Sequence, residues 1–351
     1  MSALATYTHH IALRAARPIR EGAVPMLHSN DDGALVPRVS FDGPMLEFDF
    51  PALRIGVAEY EEGPTGWTVF HFPAGVKLAV DVRGGSPAVL GDYGWTNAVC
   101  FAGGSVYGLE AVSGVAAELF AQRAYSTRWD TLALASGAIV YDFVGRDNAI
   151  YPDKRLGQAA LQAGQAGRFP LGRRGAGRFV TGGRGFGFDK GEPGGQGAAL
   201  RQVGETKVAV FTVVNAMGAI VDRGGRVVCG HLDRTTGRRQ SLAVELERGL
   251  GEEDDAPRPW GNTTLTLLAT NRKLDARTLG QLGWQVHASM ARAIQPFHAI
   301  EDGDVLFAVT TDEVGDEGLN AGPLGVLASE VAWGSVLNSV QDAGENVGEQ
   351  P

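Results

Sequence analysis

Gly261-Asn-Thr-Thr-Leu-Thr-Leu-Leu-Ala-Thr270 follows directly on Gly249-Leu-Gly-Glu-Glu-Asp-Asp-Ala-Pro-Arg-Pro-Trp260. The later stretch is a β-branched and aliphatic run that reads as a central strand. The earlier one is acidic, carries two prolines, shows no apolar period and reads as the clearest internal linker of the chain. A flexible linker running straight into a strand that opens with threonine suits self-cleavage. The Thr263 hydroxyl can attack the Asn262 carbonyl, and hydrolysis of the resulting ester leaves a new N-terminal threonine. That residue combines nucleophile and base, because an α-amine with a pKa of about 7.7–8 can take the hydroxyl proton near neutral pH. On pattern alone, a strand after a surface loop is the plainer reading.

Outward from this junction the chain alternates short strands with long apolar helices. Upstream, Arg54–Tyr60, Trp67–Phe72 and Lys77–Val82 read as an antiparallel meander punctuated by Glu62-Gly-Pro-Thr-Gly66. Val106–Arg123 has apolar residues at helical spacing, with Ser105 as the expected N-cap. Leu132–Phe143 reads as a buried strand and Asp153–Gly164 as a short helix. Ala198–Val203, Lys207–Val214, Gly218–Asp222 and Arg226–Cys229 read as further strands. Downstream of the junction come a helix over Asp275–Ile294, a strand over Val305–Thr310 and a helix over Leu324–Asp342. Antiparallel strand groups without regular βαβ alternation argue for an α+β fold in which helices cover packed sheets, and against a dinucleotide-binding domain. Residues 1–44 show no sustained period and read as an arm over the surface or toward a partner subunit.

Composition narrows the function classes. The 351 residues include 50 Gly, about twice ordinary usage, without repeats or low-complexity runs. A net charge of −9 is spread along the chain and argues against nucleic acid as a partner. The two cysteines, Cys100 and Cys229, lie far apart in apolar runs and read as small buried residues of a reducing compartment. No 18-residue apolar stretch or signal-peptide pattern is present, so a cytoplasmic protein without membrane partner is expected.

Several tempting motifs fail on context. Gly183-Arg-Gly-Phe-Gly187, in the glycine-dense segment 168–197, lacks the surrounding βαβ unit of a nucleotide site. Ser105 in Gly103-Gly-Ser-Val-Tyr-Gly108 sits in the wrong frame for a hydrolase elbow. The seven histidines show no zinc-protease spacing, so neither metal nor cofactor is expected. Taken singly, Asp302-Gly-Asp304 reads as a tight turn before a strand, Asn215 as a turn between strands, and Tyr141 as a strand residue.

These residues gain meaning together, because the chain from about Met45 onward resembles the endo-type 6-aminohexanoate oligomer hydrolases of the self-processing aminopeptidase-like group. Glu61-Glu-Gly-Pro-Thr-Gly66, Ala102-Gly-Gly-Ser105, Tyr151-Pro-Asp-Lys154, Gly195-Gln-Gly-Ala-Ala199, Ile220-Val-Asp-Arg223, Gly261-Asn-Thr-Thr264, Ile294-Gln-Pro-Phe-His298 and Leu306–Glu313 carry the resemblance in colinear order. It implies a four-layer αββα sandwich of the N-terminal-nucleophile type, cut into a 45–262 and a 263–351 fragment that together form one catalytic domain. It also implies a homo-oligomer, a tetramer. The Asn262–Thr263 bond falls on the autocleavage site and Thr263 on the nucleophile. Asp302 and Asp304 fall on two acidic partners, Asn215 on a site asparagine suited to an oxyanion, and Tyr141 on a site tyrosine. One position departs from the pattern: Arg184 stands where the family has a lysine, and Lys190 aligns less well. Arginine keeps the charge but cannot give up a proton. The expected activity is hydrolysis of internal amide bonds of linear 6-aminohexanoate oligomers through an acyl-enzyme. The alternatives are an aminopeptidase for β- or D-amino acid peptides and an unprocessed relative that only binds amides.

Overall fold

The computed structural model describes residues 28–185, 188–249, 261–315 and 320–340. The linker assigned to 249–261 therefore lies outside the described residues from 250 to 260, as does the arm from 1 to 27.

Eight strands form the frame: β1 (Arg54–Tyr60), β2 (Thr65–Val82), β3 (Trp95–Ala102), β4 (Ala135–Ile139), β5 (Gln196–Val203), β6 (Thr206–Asn215), β7 (Thr263–Arg272) and β8 (Val305–Val314). Four helices cover them: α1 (Glu110–Gln122), α2 (Lys154–Gln162), α3 (Ala276–Ser289) and α4 (Ala321–Asn338). The strand order is β5-β6-β7-β8-β2-β3-β4, with β1 on the other edge of β2. Neighbours are antiparallel except β7 with β8 and β3 with β4.

β2 explains how one hydrogen-bonded path becomes two packed layers. Its first half pairs with β1 and β3, and its second half with β8. The register with β3 slips between His71 and Val76, around Pro73 and the left-handed Gly75 (φ 75°). The sequence reading took that punctuation as the end of one strand and the start of another. Instead it marks a bulge that carries a single strand from one layer into the next.

Alternation along each strand then sorts the side chains into three cores. Between the layers lie Ile55, Val57, Phe70, Phe101, Phe211, Leu265, Leu267 and Phe307, with the Phe70 and Phe211 rings 5.1 Å apart. On one outer side, Ala58, Trp67, Val69 and Cys100 meet Val112, Val115, Leu156 and Ala160 of α1 and α2. On the other, Val208, Val210, Leu268 and Leu306 meet Leu279, Val286, Ala328 and Ala332 of α3 and α4. The result is the αββα order expected. Each large apolar side chain fully buried here is worth about 1.5–3 kcal/mol.

Helix entries follow the usual capping logic in two places. Asp153 accepts from the Leu156 N–H at 2.9 Å and Asp275 from the Thr278 N–H at 2.7 Å. Ser105 does not behave as expected. Its residue opens a 3₁₀ turn, Ser105–Leu109, in a left-handed conformation (φ 55°) and makes no capping bond. The buried Asp142 carboxylate takes the Gly104 N–H instead, at 2.8 Å, together with Thr65 Oγ1 at 2.6 Å. The reading of Leu132–Phe143 as one strand shortens to β4 for the same reason, since Asp142 leaves the sheet to brace this turn. The described part of the N-terminal arm lies along its own domain, where Arg38 and Glu59 exchange backbone hydrogen bonds of 2.9 and 3.0 Å. No helix among the described residues is long and apolar enough to cross a membrane.

Candidate active site

The sheet register brings the candidate residues to one end of β6, β7 and β8. Asn215, the last residue of β6, stands opposite Thr263, the first of β7. On the other side of β7, Leu265 stands opposite Val305, so Asp302-Gly-Asp304 immediately precedes β8 beside the start of β7. Asn262 and Asp302 form a bridge of their own. All of these residues are buried: Thr263 is 4% exposed, Asp302 2% and Asp304 and Asn215 0%.

Geometry at the Asn262–Thr263 bond is specific. The Thr263 hydroxyl donates to the Asn262 carbonyl oxygen at 2.5 Å, and the Gly303 N–H donates to the same oxygen at 2.8 Å. A hydroxyl thus lies against the carbonyl of the bond it would attack, and a backbone donor lies where negative charge would develop. Room for this is made by glycine. A Cβ on Gly303 would come within 2.7 Å of Thr263 Oγ1, and one on Gly261 (φ 90°) within 2.7–2.9 Å of the Tyr141 ring.

Asn215 sits differently from the expected oxyanion donor. In the uncut chain its Nδ2 donates to the Gly261 and Tyr141 carbonyl oxygens, each at 3.0 Å, one residue upstream of the candidate scissile carbonyl. Its Oδ1 accepts from the Thr181 N–H at 3.1 Å and from Arg184 Nη2. Tyr141 joins through its carbonyl and ring. Arg184 is 2% exposed, burial holds it down to about 10, and its Nε and Nη1 meet no acceptor. Lys190 is half-buried in the following turn.

The two carboxylates differ sharply in their surroundings. Asp304 accepts from the Thr264 N–H at 2.7 Å, the His298 N–H at 3.1 Å and His298 Nδ1 at 3.0 Å. Asp302 accepts from the Ala299 N–H at 3.0 Å and the Met217 N–H at 3.5 Å. Burial, and then the charge on Asp304, push Asp302 up to about 8. Both causes favour the protonated, uncharged form of Asp302. The Asp302–Asp304 segment is braced by the turn after β2: Arg83 N–H donates to the Asp304 carbonyl at 3.1 Å and Ser86 N–H to that of Asp302 at 2.8 Å.

A pH dependence of stability follows. An unfolded Asp ionises near 3.8, so between that value and about 8 the folded uncut chain binds one proton more than the unfolded chain. Stability from this group is full below about pH 4 and is lost as pH rises toward 8. In an uncut Thr263→Ala background, unfolding by denaturant should need about 3–4 kcal/mol less at pH 8 than at pH 5. Adding Asp302→Asn should flatten that slope; an unchanged slope would show that Asp302 is not the group responsible.

Sequence reasoning missed Gly303 as a donor and His298 as a partner of Asp304. The first follows only from strand register. The second had one signal, the His298 of Ile294–His298, quoted for resemblance alone. Among the described residues no group of three His, Cys, Asp or Glu is placed to hold a metal.

Comparison with known proteins extends this geometry. The family model of peptidase family S58 matches residues 48–350. A 6-aminohexanoate-oligomer endohydrolase of Paenarthrobacter ureafaciens is 45% identical over 320 residues, covering 88% of this chain and 90% of that protein. Its counterpart in Agromyces sp. (strain KY5R) is 44% identical over the same shares. The fold is shared with the L-aminopeptidase D-Ala-esterase/amidase of Ochrobactrum anthropi, described as a variant of the Ntn hydrolase fold. That likeness has a TM-score of 0.61 and 16% identity, covering 86% of this chain and 88% of that one.

Proposed function

The chain belongs to peptidase family S58, and on that premise we propose that it is a self-cleaving N-terminal threonine hydrolase acting on internal amide bonds of linear 6-aminohexanoate oligomers or similar amides. The observation that carries the reading is the Thr263 hydroxyl on the Asn262 carbonyl, with the Gly303 N–H on the same oxygen.

In this reading Thr263 Oγ attacks the Asn262 carbonyl carbon and the developing oxyanion is held by the Gly303 N–H. Asp302, protonated near neutral pH, gives its proton to the departing Thr263 nitrogen as the amide becomes an ester, and the proton displaced from Oγ on attack replaces it on the Asp302 carboxylate. Water then splits the ester, freeing fragment 263–351 with Thr263 at its head. Withdrawal of the new C-terminus removes the Gly261 carbonyl from Asn215, whose amide becomes free to hold the oxyanion of a substrate. The buried Arg184, with Nε and Nη1 unused, lies on the other side of Asn215 and adds positive potential. In turnover the α-amine of Thr263 takes its own hydroxyl proton, the substrate acyl group passes to Oγ, the substrate amine leaves, and water resolves the acyl-enzyme. The chain is proposed to work as a cytoplasmic homotetramer, in keeping with its two buried, unbridged cysteines.

Endo cutting is tested with oligomers whose amino end is acetylated. Rates on capped and free oligomers are expected to agree within about threefold, since no recognition of the terminal ammonium is required. Loss of more than about a hundredfold on capping would instead assign the chain an aminopeptidase specificity.

A further inference from the structure

We propose that His298 is a positioning residue that decides which member of the Asp302–Asp304 pair carries the negative charge, through two hydrogen bonds from one residue to Asp304 Oδ2. The proposal rests on the reading of Thr263 and its acidic partners given above.

Two carboxylates separated by a single glycine and shielded from water cannot both ionise cheaply. Their donors decide the matter. Asp304 has three N–H groups on its two oxygens, two of them from His298, whereas Asp302 has two backbone N–H groups, one of them long at 3.5 Å. His298 can deliver both bonds because its backbone is left-handed (φ 62°), which turns the main-chain N–H and ring Nδ1 toward the same carboxylate oxygen. A histidine tolerates that conformation better than most side chains, but it is still held there by its surroundings.

An ionised carboxylate only accepts, so Nδ1 carries the proton, and Nε2 is buried with no acceptor for a second one. Phe297 packs on the ring with centroids 3.9 Å apart, and His287 meets it edge-on at 4.4 Å. His287 in turn bonds through Nδ1 to Asp81 Oδ2 at 2.9 Å, and Asp81 is paired with Arg83 Nε at 2.6 Å. Burial holds His287 below its ordinary range, so it adds no charge behind His298. The other groups that bear on the pair are Glu301, which raises Asp302 further, and Arg184, across the site by Asn215. His298 is the ionisable side chain that touches Asp304 directly among the described hydrogen bonds, and its effect on Asp302 is indirect: an anionic Asp304 keeps the proton on Asp302, where the leaving nitrogen needs it.

The test uses full-length chain made by a short pulse of cell-free translation and shifted to buffers from about pH 5.5 to 9.5, with cleavage followed on denaturing gels. Wild-type cleavage is expected to fall on an alkaline limb near pH 8, where Asp302 ionises. His298→Gly keeps the backbone conformation and removes the ring donor. Asp304 then competes with Asp302 for the pair's single proton, so the rate at pH 7.5 should fall roughly tenfold while the limb moves up by about one pH unit, because the pair as a whole gives up that proton later. His298→Asn places an amide N–H where Nδ1 was and also tolerates a left-handed backbone. It should keep the limb within about 0.3 unit and the rate within about threefold. An unmoved limb in His298→Gly, or a limb in His298→Asn displaced as far as in the glycine variant, overturns the proposal. Should the glycine chain prove inert at every pH, the asparagine chain decides: a retained limb and rate support donation, a displaced limb refutes it. A wild-type chain that stays whole throughout counts against Thr263 self-cleavage itself, a failure distinct from that of His298.

Discussion

Thr263→Ala is expected to yield a chain that stays whole and hydrolyses linear amides at least ~10⁴-fold more slowly than the wild type. The size of the effect follows from how little else is available. The Asn262 carbonyl oxygen has two described donors, Thr263 Oγ1 and the Gly303 N–H, and only the first is a nucleophile. Thr264 cannot substitute, because alternation along β7 sends its side chain to the opposite face. Its hydroxyl is buried there without a partner, and its N–H is already spent on Asp304. An uncut chain also lacks the α-amine that serves as base, so a single substitution removes nucleophile, base and opening of the cleft together. Thr263→Ser retains Oγ and should restore cleavage to within about tenfold of wild type. Hydrolysis by Thr263→Ala at wild-type rates would show that another group performs the chemistry.

Gly303→Ala should slow self-cleavage by ~10²–10³-fold while leaving the fold intact. Glycine is needed here for space: a Cβ would lie 2.7 Å from the Thr263 hydroxyl, 2.8 Å from the Ser86 carbonyl oxygen and 3.4 Å from Pro87 Cα. Neither side can yield easily. Thr263 is anchored in the middle of a sheet, and Ser86 is tied by its own N–H to the Asp302 carbonyl at 2.8 Å. Accommodation would push the Gly303 N–H off the Asn262 oxygen and the hydroxyl off its line of attack. Gly280, in α3 with open space at its Cβ position, supplies the control. Gly280→Ala should leave cleavage unchanged and stabilise the chain by about 0.5–1 kcal/mol. Equal cleavage by Gly303→Ala and wild type would remove the Gly303 N–H from the account.

Which parts of this were legible in the sequence depends on the range of the interaction. β1, β5 and β7 are readable because alternation and β-branching are local signals, and each begins within about two residues of the reading. The bend of β2 was not legible as a bend, because Pro73 and Gly75 signal the end of a strand and its bulge equally well. The αββα layering came from resemblance; its physical origin, one strand shared by two layers, is a property of pairing across the chain. At the site, the threonine after a linker was visible as a local pattern, whereas the Gly303 donor requires β7 to lie beside β8 in a given register. For Asn215 the residue was legible and its partners in the uncut chain were not. An amide suited to an oxyanion is occupied, in the uncut chain, by the carbonyls of Gly261 and Tyr141. His298 was seen and set aside, since no sequence spacing links a histidine to a carboxylate six residues on until a left-handed turn brings them together.

The central claim is that the junction of linker and β7 makes the nucleophile. Intact mass measurement of the purified wild-type protein under denaturing conditions, with N-terminal sequencing of each species, tests it most directly. The account predicts two species, one ending at Asn262 and the other beginning with an unmodified Thr263. A single uncut mass of 37.0 kDa in a preparation with full amide-hydrolysing activity would contradict it.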